Sequence, residues 1–377
     1  LLSIEKGDAC KNKIKNNHYL ANMKIFIPVK YILITFFFGL IAIGCANKFT
    51  QKEQATTADT FQVLVVEQGR NQVKLFDSNG QLLDSCQVGF NPHEIEYDSA
   101  NNKVYVSNFG VEDYDNTIGT PGTSLSVINL QDLSIAALWP TYRNNITVTD
   151  TCKGPHGLKL RPPSKKELYV NVEFGDLMLV YDTETGRIKR SFPLAKGVHN
   201  FQFSATGKTI WAIAGANGIY KYDADNGKET GHFATATPVR GLTFTAKQQN
   251  VILSCRNEIY ILRSKDLHMQ KHFTHLGVKQ IIYSCISPDG RLLFAPCPYD
   301  NLVLVIDLKT GDIQKRIPTG KAPIYVRIGP NQKQAFVSNA LDNDMTVIDL
   351  SDFSTHSFGQ VYKPNGFLFL IPMMNKH

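Results

Sequence analysis

The sequence predicts an all-β chain folded as a seven-bladed β-propeller, on three observations. From Phe61 onward no helical stripe of 10 residues occurs, and short β-branched and aromatic runs alternate with turn residues every 8 to 12 positions. One register position recurs seven times, at spacings of 63, 43, 41, 42, 42 and 41 residues. A period near 40 with four strands per repeat is typical of propeller blades, so residues 61–377 should form one domain. The recurring position holds His93, His156, His199, Arg240, Ile282, Ile324 and Asn365.

The segment before the propeller has the composition of a targeting sequence. Residues 1–22 lack apolar periodicity, and we interpret them as an upstream extension. After Met23 a basic start leads into the apolar run Tyr31–Ile43, whose 13 residues are too few to span a membrane as a helix. We therefore predict a signal peptide over 23–45 and a flexible tether over 46–60.

The end of this apolar run predicts where the signal is cut. Ala42-Ile43-Gly44-Cys45 resembles the lipobox of bacterial lipoproteins, in which the cysteine is lipidated after cleavage. The resemblance implies lipidation of Cys45, and Ala46 rather than Asp after it implies the outer membrane or cell surface. The membrane would then be a partner through the lipid anchor. An ordinary secretory signal cut near Ala46 is the alternative.

The net charge of the chain does not indicate nucleic acid as a partner. The formal net charge is +7, but six of the lysines lie in residues 1–45. The remaining 34 basic and 31 acidic side chains leave +3. Nucleic-acid binding requires basic residues clustered on one face, and so small an excess does not indicate such a cluster.

Two features of the repeats predict how the blades turn and how the ring closes. Asp and Gly bracket a recurring turn, since Asp bonds the turn backbone and Gly accepts positive φ. These turns are Asp77–Gly80, Asp182–Gly186, Asp223–Gly227 and Asp307–Gly311. The seventh repeat is split between the chain ends, so strand pairing between them should remove the free sheet edge. Its predicted strands are Phe61–Glu67, Gln72–Asp77, Gln81–Val88 and, innermost, Gly366–Ile371.

The sequence of the repeats resembles that of the YVTN family of bacterial β-propellers. The resemblance is found in four segments, Val104–Asn108, Ala335–Asn339, Ser287–Arg291 and Asn301–Asp307. The resemblance covers about 315 residues and implies the fold. It does not imply one activity, because related propellers include lactonases, a streptogramin lyase, dehydrogenase subunits and extracytoplasmic proteins with no known reaction.

Three histidines and an arginine share one register at the start of inner strands. These are His93, His156, His199 and Arg240. Inner strands begin on the face that carries the loops between second and third strands, so the insertions Gly110–Thr123 and Pro140–Gly154 should emerge beside them. Neutral imidazoles there could contact a ligand, bind a transition metal or act as a general base. Alternatively, they only begin strands and bond to backbone carbonyls.

Further polar residues end second strands and are predicted to ring the same mouth. They are Asn108, Asn171 with Glu173, and Asn339. The alternative is that Asn108 and Asn339 shape the blade loops through bonds to the backbone.

Among the cysteines, Cys152 is predicted to be the most exposed, because it lies in an insertion.

The sequence leaves two main classes of function open for this protein. No Gly-x-Ser-x-Gly, Cys-x-x-Cys, His-Glu-x-x-His or Gly-rich phosphate motif is present. The first hypothesis is an exported, lipid-anchored module that binds a protein, glycan or small molecule at the channel mouth. The second is a lactonase- or lyase-like enzyme that uses the histidines as base or metal ligands. A redox subunit is third, since no haem motif occurs.

Overall fold

Seven four-stranded antiparallel sheets form a ring, which confirms the seven-bladed propeller. The computed structural model describes residues 60–112, 115–142 and 152–371. We number the blades from the repeat that contains His93, and blade 7 holds both chain ends. Each blade has its first-listed strand at the central channel and its last at the rim.

The strands of each blade, from the channel outward, have the following bounds. Blade 1 has Pro92–Asp98, Lys103–Asn108, Ser124–Asn129 and Ser134–Pro140, and blade 2 has Pro155–Leu160, Glu167–Val172, Leu177–Asp182 and Ile188–Pro193. Blade 3 has Asn200–Phe203, Thr209–Ile213, Ile219–Asp223 and Glu229–Phe233, and blade 4 has Gly241–Phe244, Asn250–Ser254, Glu258–Arg263 and Met269–Thr274. Blade 5 has Cys285–Ile286, Leu292–Cys297, Leu302–Asp307 and Ile313–Pro318, and blade 6 has Pro323–Ile328, Gln334–Asn339, Met345–Asp349 and Thr355–Phe358. Blade 7 has Pro364–Leu370, Gln62–Glu67, Gln72–Asp77 and Leu82–Gln87.

Pairing between the two ends of the described chain closes the ring. The innermost strand Pro364–Leu370 runs antiparallel to Gln62–Glu67, with Leu64 opposite Leu368. The prediction of this closure is confirmed, although the strand begins two residues before Gly366. Phe367 in this strand is fully buried. The pairing therefore completes a four-stranded blade between blades 6 and 1.

The core lies in layers between neighbouring blades. Trp139 and Tyr105 of blade 1, for example, pack with Tyr181 and Leu158 of blade 2. Because neighbours cover both faces of a blade, the middle strands are apolar without alternation, and Val104–Val106 is wholly buried. This explains why the sequence shows runs of apolar residues rather than a two-residue period.

The predicted Asp–Gly turns join third to fourth strands on the face opposite the strand starts. In blade 2 the Asp182 carboxylate accepts hydrogen bonds from the backbone N–H of Glu184 and Thr185, and Gly186 has φ +70°. Asp77, Asp223 and Asp307 accept bonds from their turns in the same way. Three 3-10 helices instead occupy loops between second and third strands. They are Gln68–Arg70, Glu173–Gly175 and Gly215–Asn217.

Two elements differ from the regular repeat. The insertion Gly110–Thr123 is a β-hairpin, with Val111–Glu112 paired to Asp115–Gly119, rather than an irregular loop. The inner strand of blade 5 is only Cys285–Ile286, because its continuation would face Pro296, which has no N–H to donate to the ladder.

The predicted targeting features lie outside the described residues. They are the extension 1–22, the signal peptide 23–45 with Cys45, and the tether 46–60 except for residue 60. Within the described residues, no helix has the length and hydropathy needed to cross a membrane. The signal and the lipid anchor therefore stay predictions.

Candidate functional site at the channel mouth

A cavity of about 850 Å³ opens on the face where the inner strands begin. All blades from 1 to 6 contribute to its wall, so the ring places residues far apart in sequence around one space. Its polar lining residues are His93, Glu112, His156, Glu173, His199, Arg240, Arg256, Asn257, Lys279, Gln280, Tyr283 and Tyr299. Its apolar lining residues are Phe109, Pro238, Val278, Ile282, Pro298 and Ile324.

The three predicted histidines lie together on one side of this cavity. His93 and His156 are the second residues of their inner strands, and His199 directly precedes the inner strand of blade 3. They are only 4%, 6% and 4% exposed. In blades 1 and 2 the strand register shifts at this point, after Pro92 and after Pro155. Such irregularities re-aim side chains, and here they lie at the residues that face the mouth.

A carboxylate and two imidazoles form a connected chain in the cavity wall. Glu173 Oε2 lies 3.2 Å from His156 Nδ1, and His156 Nε2 lies 3.0 Å from His93 Nε2. His156 Nδ1 also bonds to the backbone carbonyl of His199. Since a carbonyl and a carboxylate only accept, we assign the proton of His156 to Nδ1. His93 then donates its Nε2–H to His156 Nε2.

Burial keeps the imidazoles of His156 and His199 uncharged near neutral pH. Desolvation is the main cause that lowers the pKa of His156 well below its usual value, and its histidine neighbours and Arg240 lower it further. Desolvation also lowers the pKa of His199 from 6.5 to about 3, and the charge of Arg240 acts in the same direction. His156 and His199 therefore give the cavity wall neutral, polar groups.

The cavity wall formed by blades 4 and 5, next to the histidines, is cationic. Arg240, Arg256 and Lys279 line it with exposed side chains. None of the three side chains has a hydrogen-bond or ion-pair partner among the described residues. The carboxylate of Glu112 does not balance them, because Lys363 lies 2.9 Å from it. An anion entering the cavity would thus meet three cations that have no internal counter-ion there.

A buried network supports the channel below the histidines. Glu94, only 1% exposed, accepts hydrogen bonds from the Tyr325 hydroxyl and from Asn200 Nδ2, the latter at 2.6 Å. Burial raises the pKa of Glu94, but the Lys159 ammonium, 3.8 Å away, contributes to a net lowering. Tyr283 of the cavity wall stacks on Tyr325 with ring centroids 4.3 Å apart. Buried polar and aromatic contacts of Glu94, Asn200, Tyr283 and Tyr325 therefore lie below the cavity.

The asparagines predicted to ring the mouth do not line the cavity. Asn108 Oδ1 accepts from the Gly89 N–H at 3.1 Å, and its amide donates to Ser124. Asn339 donates to Thr346 at 2.9 Å. Asn171 Oδ1 accepts from the Gly157 N–H at 2.8 Å. All three are buried. Asn108 bonds to a loop backbone, as the alternative interpretation proposed, whereas Asn339 donates to the side chains of Asp344 and Thr346. Glu173 does line the cavity.

The metal alternative finds no support in the donor arrangement. Within the residues that the structure describes, no group of three or more His, Cys, Asp or Glu side chains is placed to hold a metal ion. His93 and His156 direct their Nε2 atoms at each other instead of at a common open position. We therefore assign no metal ligands.

Sequence reasoning missed several lining residues and misplaced one cysteine. Arg256, Lys279 and Tyr283 lie at or beside connections that vary between repeats, so no register identifies them. Their position in the repeat could have identified them, since each lies near the end of a second strand or before an inner strand. Cys152, predicted to be exposed, is only 8% exposed, and its carbonyl accepts a hydrogen bond from the Thr141 hydroxyl. Cys86, Cys255, Cys285 and Cys297 are free thiols.

Comparison with known proteins supports the fold and leaves the activity open. No family model and no curated protein matches this chain. A candidate 6-phosphogluconolactonase from Bacteroides fragilis is 18% identical, with a TM-score of 0.65 over 84% of this chain and 99% of that one. A second, from Bacteroides uniformis, is 17% identical, with a TM-score of 0.64 over 83% and 100%. Hydrazine synthase of Kuenenia stuttgartiensis is 19% identical, with a TM-score of 0.61 over 76% and 92%. At these identities the likeness shows a common propeller fold alone.

Proposed function

We propose that this propeller is a binding module whose mouth cavity takes a small anionic molecule. One observation carries the proposal. Arg240, Arg256 and Lys279 line a single concave space, and none has an internal counter-ion among the described residues. Charges of one sign inside a concave wall focus their field and raise the local concentration of the opposite ion.

The neutral histidines fit an anionic ligand better than a cationic one. They add hydrogen-bonding groups to the wall, and the carboxylate of Glu173 is directed at His156. The phosphate or carboxylate would lie against blades 4 and 5, and the uncharged part would lie against His93, His156 and His199. The volume of about 850 Å³ accommodates a molecule of sugar-phosphate size.

Calorimetric titration with glycerol 3-phosphate at low ionic strength tests this proposal. We expect Arg240→Gln, Arg256→Gln and Lys279→Gln each to weaken binding about five- to tenfold, since each removes one charge from a partly desolvated site. Arg187→Gln is the matched control, because Arg187 is an exposed arginine in a turn on the opposite face. Equal binding by the control and the three cavity variants would contradict the proposal.

A lactonase-like hydrolase is the second candidate, and the Glu173–His156–His93 chain favours it. In such a reaction water would attack the lactone carbonyl while the histidine pair takes its proton. The carboxylate of Glu173 would stabilise the imidazolium, and the ring oxygen would leave and be protonated. The fold shared with candidate 6-phosphogluconolactonases makes 6-phosphogluconolactone the first probe.

Hydrolysis of this probe separates the two candidates. An enzyme should lose at least a hundredfold in rate in His156→Phe and Glu173→Gln, while Arg187→Gln keeps the wild-type rate. A wild-type rate no higher than the spontaneous rate would exclude the hydrolase and leave binding as the proposed function.

We also propose that the protein belongs near the YVTN propellers and acts as an exported, lipid-anchored protein. The first part rests on the sequence of the repeats, and the second rests on Cys45.

A further inference from the structure

The ring of His199 lies outside the Glu173–His156–His93 chain. Its Nε2 atom is buried and has no hydrogen-bond partner among the described residues. A buried polar atom without a hydrogen-bond partner is unusual in folded proteins, so we expect a group that can form a hydrogen bond with it. His199 lines the cavity, so a bound molecule is in a position to supply that group.

The hydrogen bond on the other side of the ring decides what His199 Nε2 needs. The backbone carbonyl of Gly197 raises the pKa of His199 as a hydrogen-bond acceptor, and Nδ1 is the ring nitrogen that can donate to it, because Nε2 has no hydrogen-bond partner among the described residues. A carbonyl only accepts, so Nδ1 carries the proton of the neutral ring. Nε2 therefore presents a lone pair and needs a donor. In His156 the corresponding Nε2 already receives its donor from His93.

The surroundings restrict which donor can bind. Arg240 lies close enough for its charge to lower the pKa of His199, so an ammonium group would be repelled there. A hydroxyl is neutral, and it can donate to His199 while it accepts from the guanidinium of Arg240. An amide N–H cannot make the second bond with the same atom.

We propose that the ligand is a hydroxylated anion, which places its phosphate or carboxylate at Arg240, Arg256 and Lys279 and donates a hydroxyl proton to His199 Nε2. This inference rests on the proposed function, because it requires that an anion binds the cavity. It adds the chemical class of the ligand and gives His199 the role of the residue that selects it. Discrimination of this type is strong, since an analogue without the hydroxyl leaves the buried acceptor unsatisfied.

Two probes of equal charge and length test the inference. Glycerol 3-phosphate and n-propyl phosphate differ only in two hydroxyl groups. We expect the wild-type protein to bind glycerol 3-phosphate about tenfold more tightly. His199→Phe keeps a ring but removes the acceptor, so the preference should fall to about one while the affinity for n-propyl phosphate changes less than twofold. His199→Gln, whose Oε1 can accept, should restore part of the preference.

The controls separate failure of this inference from failure of the proposed function. His232→Phe makes the same change at an exposed histidine that stacks on Tyr220 outside the cavity, and it should keep the wild-type preference. Equal wild-type affinity for the two probes, or a preference that survives in His199→Phe, would overturn the role of His199 and leave anion binding intact. Binding of neither probe by the wild-type protein would overturn both. If His199→Phe does not fold by circular dichroism, the preference measured for His199→Gln against His199→Ala decides.

Discussion

Replacement of His199 should make the protein less sensitive to acid. The pKa of His199 is lowered from 6.5 to about 3 in the folded protein, chiefly by burial and further by Arg240. Below pH 6.5 the unfolded chain therefore binds a proton that the folded chain does not, and stability falls as the pH falls. At 1.36 kcal/mol per pH unit, this one residue costs about 2 kcal/mol between pH 6.5 and pH 5. His199→Gln cannot take up that proton and should avoid this loss.

Urea unfolding at pH 7 and pH 5 measures the effect. The loss of unfolding free energy between the two pH values should be about 2 kcal/mol smaller in His199→Gln than in the wild-type protein. His232→Gln is the control, because it makes the same substitution at an exposed histidine outside the cavity. The reasoning is refuted if His199→Gln and the wild-type protein lose the same free energy. That result would mean that His199 is already protonated, or solvated, in the folded state.

Three further changes test the ring closure, the anchor and the charge of the site. Deletion of residues 364–377 removes the buried side chains of Phe367, Leu368 and Leu370, which should lower the free energy of unfolding by roughly 5 to 9 kcal/mol; unchanged melting would rule out the closure. Cys45→Ala should move the protein from the membrane fraction to the soluble fraction, because a tether without acyl chains has no membrane affinity, and retention in the membrane would count against the lipid anchor. Glu173→Gln should tighten the binding of glycerol 3-phosphate roughly two- to fivefold at low salt, since it removes a like charge from the cavity; weaker binding would show that Glu173 contacts the ligand itself.

The fold could be predicted because it depends on features that are local in the sequence. Each blade repeats its own turns, such as Asp182–Gly186, and each inner strand begins at one register. The split repeat places Pro364–Leu370 beside Gln62–Glu67, and no other arrangement removes both free edges. The short inner strand of blade 5 escaped prediction, because its end depends on a proline in the partner strand, Pro296.

The site could be predicted only in part. Register alone places His93, His156 and His199 at one mouth, because a strand start fixes where the backbone lies. It does not fix which way a side chain turns, so the contact of His156 with both His93 and Glu173 could not be foreseen. The same limit explains Asn108, which ends a second strand as expected but bonds to Gly89 in the connection that precedes the inner strand of blade 1.

The central claim is that a small anion binds at the channel mouth. Nitrogen-15 NMR of the histidine side chains, in protein labelled at histidine and titrated with glycerol 3-phosphate, tests it most directly. His199 should show the largest shift, with smaller shifts at His93 and His156, and the exposed His232 and His356 should not move. Shifts confined to the exposed histidines, with the three cavity histidines unchanged at saturating ligand, would contradict the account.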